Sequence, residues 1–256
     1  ENYQNGIYGV GNSSKGNGYN LALNRFKNID DTPIELSYIS KATIQSNYFD
    51  YCSEDRTILV ENVKQLLSIE NNVANSSFKI AVIPEVTGDN SSAVVNIENN
   101  KIVSEDADSV GSILYKPEQY DSSSSPMKLT IKNNKNFRIE AEFVRNAEVS
   151  ENTIPESIVM RNLYGNTKVE KNEIYGQAIV SDLIMDESKT FPNLIFSENS
   201  FKNAADAYLS LENIPPGDSL KYRQVTNNTW SSVGDIGTEL IDVHSLRFAE
   251  NKILGG

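Results

Sequence analysis

With one cysteine, Cys52, and one histidine, His244, this chain has few ways to build a nucleophile. A Ser-His-Asp or Cys-His mechanism would rest entirely on His244. Zinc held by histidines or by a cysteine cluster is excluded by the same count. Cys52 reads as a small side chain in a loop or coil interior, and His244 as a surface loop residue. The chemistry then falls to carboxylates and arginines. Glu140, Glu142 and Asp182 are the candidate acids and bases, and Arg138 and Arg161 are the cations that could clamp an acid group with a planar fork of donors. Tyr115, Tyr120, Tyr208 and Tyr222 offer rings on which the C–H faces of a sugar could stack. A second acidic group, Ser104-Glu105-Asp106-Ala107-Asp108-Ser109, supplies oxygen ligands of the kind Ca²⁺ takes. It lacks the glycine and terminal glutamate of an EF-hand loop, so its plainer reading is an acidic solvated loop. The cluster Asp50, Glu54, Asp55 and Arg56 earns the same discount.

Composition narrows the partners. A net charge of −12 argues against nucleic acid, which needs clustered Lys and Arg. An anionic polymer is disfavoured unless basic residues gather locally or a metal bridges the charges. No apolar run is long enough to span a membrane. The opening ENYQNGIYGV lacks the basic-then-apolar layout of a signal peptide, as a mature or trimmed form also would. Hydrophobic residues make up 38% of the chain, so the core must be narrow.

The elements that position these residues come from a repeat. An apolar residue, two variable residues and then Asn recur as Leu21…Asn24, Ile44…Asn47, Ile69…Asn72, Ile97…Asn100, Ile131…Asn134, Val149…Asn152, Val169…Asn172, Phe196…Asn199, Val225…Asn228 and Phe248…Asn251. Most copies add an apolar residue two positions later, among them Phe26, Phe49, Ile154, Ile174, Phe201 and Trp230; Ala74 and Asn136 depart from this. Asn-to-Asn steps run from 18 to 34 residues, so loops of variable length hang on a fixed frame. The 18-residue step has the least secure register. Between motifs lies a second strand with period-two alternation: GIYGV, IELSY, TILVE, FKIAV, SILYK, RIEAEF, SIVMR, AIVSD, AYLSL and TELID. Asn is expected at the corners because it tolerates left-handed backbone, and stacked Asn side chains one coil apart can bond to one another.

This pattern resembles the right-handed parallel β-helix of the pectate-lyase-like superfamily, over residues 7–254; VSENTI, VEKNEIYG and FAENKI look like its generic coil. The expected fold is all-β, one parallel β-helix domain of about ten coils across residues 1–256. Open coil ends expose apolar rows and unpaired edges. The expectation is therefore a piece of a longer chain, or caps supplied by neighbouring domains or subunits, a homotrimer among them. The resemblance implies an extracellular, cell-surface or virion protein whose partner is polysaccharide: a tailspike or depolymerase, a secreted lyase or hydrolase, or a non-catalytic adhesin or stalk. It also implies Ca²⁺, for which Asp106 and Asp108 are the candidate ligands, and a substrate lying along the outer face from IELSY to TELID.

On that face Ile139, Ala141, Ile158, Met160, Ile179, Ser181 and Leu209 are assigned inward. Arg138, Glu140, Glu142, Val159, Arg161, Asp182, Tyr208, Ser210 and Glu239 are assigned outward. Glu142, Arg161 and Asp182 then form a column on successive coils. Its two carboxylates would lie roughly 9–10 Å apart, near the ~6.5–9.5 Å of inverting glycosidases. The plain reading is a charge ladder on a solvated sheet, worth little energetically.

Overall fold

In this computed structural model the described residues are 6–11, 17–52, 55–84, 93–104, 109–117, 128–185, 192–202, 208–216, 223–231 and 237–254. They form no helix, and every strand pairing among them is parallel. The chain is an all-β parallel β-helix. Each coil runs along a first face, a second face and a short third face before it rises to the next coil. The strands GIYGV to TELID make the first face, each in register with its neighbour one coil on. The strands that carry the apolar-x-x-Asn motif make the second face, so Ile44 lies over Leu21, and Val149 over Ile131 across the 18-residue step.

In one coil the two faces are a single strand, Ser157–Glu170, which joins them into a 19-stranded sheet. The bend within it falls at two left-handed residues, Asn162 (φ 54°) and Gly165 (φ 67°). The third face is split into sheets of four and five strands. The break falls where the repeat places Asn136: this residue is exposed and left-handed (φ 69°), so its row position holds no apolar side chain.

Alternation sends every second side chain into the tube, where like positions stack. Ile154, Ile174, Phe201 and Trp230 form one buried row. Phe26 stacks on Phe49 at 5.1 Å, Phe49 on Phe78 at 5.2 Å, and Phe78 meets Phe137 at 5.5 Å. Gly111 lies in register between the coils of Phe78 and Phe137. A β-carbon there would sit 2.7 Å from the Phe137 ring and 2.6 Å from the Phe78 carbonyl oxygen. The two rings touch only because that residue has no side chain.

The motif asparagines form one unbroken ladder. The Asn47 amide nitrogen donates to Asn72 Oδ1 (3.0 Å) and to the Leu21 carbonyl (2.9 Å). Asn47 Oδ1 accepts from the backbone N–H and the side-chain amide of Asn24 (3.0 Å each). The same links continue through Asn100, Asn134, Asn152, Asn172, Asn199 and Asn228 to Asn251. Each interior amide makes all four of its bonds, as a buried amide must. The backbone role expected of these asparagines is corrected. The left-handed residue is the one before each of them, including Leu23, Ser46, Glu151, Lys171, Glu198 and Glu250. Asn is required for its side chain, and its neighbour turns the corner.

Candidate functional site

On the first face the outward side chains form three columns. The first passes through Lys79, Ser112 and Arg138, and by the same register through Ser157, Gln177 and Tyr208. The second holds Leu59, Ala81, Leu114, Glu140, Val159, Ile179, Ser210 and Glu239. In the third, Glu142, Arg161, Ser181 and Glu212 succeed one another, and Lys116 precedes them.

Glu142 is outward, as expected, but it is not open to solvent. Lys116 Nζ donates to its Oε1 at 3.2 Å, Arg161 Nη1 lies 3.9 Å from the same oxygen, and the carboxylate side chain is only 9% accessible. The two cations are nearly half exposed. Carboxylate and cations therefore form an alternating cation–carboxylate–cation stack over three coils. Lys116 closes the segment SILYK but was not singled out at the sequence level; the alternation Leu114-x-Lys116 was the available signal. Arg138 is exposed and pairs with Glu156 at 3.6 Å. Glu140 is half-buried between Leu114 and Val159. Tyr208 is half-buried at the far end of the Arg138 column, and its carbonyl accepts from Ala178 N (2.9 Å).

Three assignments are corrected. Asp182 does not continue the Glu142–Arg161 column, because Arg161 pairs with Ser181. Asp182 is a left-handed corner (φ 56°) whose carboxylate accepts from Ser181 Oγ and Asn213 Nδ2, each at 2.8 Å. Ile179 accordingly faces outward and Ser181 belongs to the outer column, while Ala178 and Val180 fill the core. Tyr115 is fully buried: it shares the inward parity of Ile113 and stacks between Val82 and the small Ala141, so it is no sugar platform.

Asp106 and Asp108, with Tyr120, Tyr222 and Glu54, lie outside the described residues. Among the described residues no group of three or more acidic, His or Cys side chains is placed to hold a metal. Asp50 is a clamp between coils. It accepts from Arg25 Nη2 (2.8 Å) and Asn75 Nδ2 (2.6 Å), with Lys27 at 4.0 Å. The Arg25 hydrogen bond holds its carboxyl below the usual aspartate range, against burial that pushes it up. Cys52 is buried and burial raises its thiol pKa, whereas His244 is exposed on the coil of Thr238–Val243. The two never meet.

No protein-family model, curated protein or solved structure matches the chain.

Proposed function

We propose that the protein is a polysaccharide-recognising β-helix of the pectate-lyase-like type, exposed outside a cell or on a virion, and that it grips an acidic glycan along its outer first face. One observation carries this reading. On neighbouring coils, the half-exposed cations Lys116, Arg138 and Arg161 flank a strip of outward apolar side chains, Leu114, Val159 and Ile179. Cations suit sugar acids, and apolar strips suit the C–H faces of sugar rings. Glu140 interrupts the strip, and Glu142 and Glu156 pair with the cations, so the patch is locally balanced in charge although the chain as a whole is strongly acidic.

A second reading, cleavage, has its own support. Glu140 and Glu142 leave the same strand on the same side two residues apart, roughly 6.6 Å along it. Side chains projecting in parallel at that spacing would carry their carboxyls near the roughly 6.5–9.5 Å separation that inverting glycoside hydrolases need. In this scheme Glu142, held between two cations, is the base that activates water and Glu140 is the acid that protonates the leaving oxygen.

The test is a screen of purified protein against acidic capsular and plant polysaccharides, reading binding, reducing ends and absorbance of unsaturated products together. Binding that disappears in the Lys116→Met/Arg161→Met double variant supports the glycan face. Reducing ends alone add hydrolysis, unsaturated products mean a lyase, and binding without products is the adhesin. Failure to bind any acidic glycan overturns the proposal.

A further inference from the structure

Arg223 opens the second-face strand Arg223–Thr226, and its parity with the buried Val225 turns its side chain into the tube. It pairs with Leu246 on the next coil and, by the register of the strand before it, lies over Leu194. The residue is 1% exposed and is the only buried cation among the described residues. Its Nε, Nη1 and Nη2 all lack a hydrogen-bond partner. The two buried carboxylates among the described residues, Asp50 and Glu142, are already paired with other cations. The next strand of the same coil repeats the anomaly. Trp230 stacks flat on Phe201 at 5.1 Å, and its indole N–H is buried without an acceptor.

Two sets of donors from one coil thus face an interior that offers them nothing. A buried hydrogen-bonding group is normally satisfied, and a buried charge is normally paired. Arginine cannot escape by losing its proton, although burial does push its pKa down. Its rigid fork of donors is built to hold an anion. Between the aliphatic Leu194 and Leu246 and with almost no outlet to solvent, any anion held there must be small.

We propose that the interior of this coil is a binding site for a small monovalent anion, of halide to formate size, held by the Arg223 guanidinium. The inference is independent of the glycan reading, since the site lies inside the tube and the glycan face outside it. A satisfied anion would make the coil part of the stable core, and removing it would leave an uncompensated charge there.

The experiment is urea unfolding of the chain at constant ionic strength, with sodium gluconate, too large to enter, replaced stepwise by sodium chloride, bromide or formate. Stabilisation that begins at a defined concentration is expected. Above the dissociation constant each tenfold rise in anion should multiply the folding constant by about ten. Arg223→Met keeps the length of the side chain without the charge, and should be stable in gluconate and indifferent to the small anions. A wild-type protein that ignores them, or an Arg223→Met protein that responds equally, overturns the proposal. Should that variant fail to fold, crystals of the wild type in sodium bromide decide the matter. An anomalous peak beside the guanidinium supports the site, and bromide found only on the outer surface overturns it.

Discussion

At the corner before every ladder asparagine a residue takes left-handed backbone, and at Glu151 (φ 59°), Lys171 (φ 58°) and Glu198 (φ 56°) that residue carries a full side chain. For such residues the conformation costs about 1–2 kcal/mol each, a strain that glycine avoids. Lys171→Gly should therefore change stability by less than about 1 kcal/mol, the relief of strain being offset by a freer unfolded chain. Asn172→Ala, one position on, strands the Val149 carbonyl and the amides of Asn152 and Asn199, and should cost roughly 1–3 kcal/mol. Urea midpoints of the two variants should rank in that order; a costly Lys171→Gly beside a harmless Asn172→Ala would refute the division of labour at the corner. Also at this scale, if the protein proves hydrolytic, Glu142→Gln should lower turnover by about 10²–10⁴-fold and leave glycan binding in place. Turnover unchanged in Glu142→Gln and Glu140→Gln would remove the pair.

Rows and clamps between coils belong to the next scale. Ile174 is fully buried between Ile154 and Phe201, and Ile174→Ala should cost on the order of 2–5 kcal/mol if the cavity cannot collapse; a variant as stable as its parent would show that the row is not packed. Asp50 ties its own coil to Arg25 on the coil before and Asn75 on the coil after. Its folded pKa is depressed, so its contribution is complete above its unfolded value near 3.9 and is lost as pH falls through the folded one. Asp50→Asn should flatten the acid limb of the stability curve below about pH 4 and leave the neutral region's slope unchanged; an acid limb identical to wild type would rule the clamp out. The strands themselves were legible in the sequence, and so was the buried row, because Asn and apolar spacing are constant where loop lengths are not. Parity was less legible. In Ala178-Ile179-Val180-Ser181 every side chain is apolar or small, so period two has nothing to grip, and the assignment slipped by one. At Tyr115 the alternation with Ile113 did indicate the core, but residue type suggested a sugar platform.

For the molecule as a whole the contrast is between a net charge of −12 and a face on which three half-exposed cations stand, each beside a carboxylate. Binding of an acidic glycan there should weaken steeply with salt, because half-exposed charges are screened once the Debye length falls from about 30 Å at 0.01 M to 10 Å at 0.1 M. Affinity that does not change across that range would mean that the cations do not read the ligand's charge. The fold was readable from the chain because a solenoid repeats along one dimension. The site was readable only in part, because it is written across coils, and loops of unequal length hide which residue stands beside which. The ladder overcomes that inequality: its amide links stay at 2.9–3.1 Å while the chain between them runs from 18 to 34 residues. It counts corners, not residues. Such a frame behaves as a chassis. Insertions, deletions and exchanged loops between corners leave the index untouched, so lineages built on it are free to rewrite the outer surface while inheriting the tube unchanged.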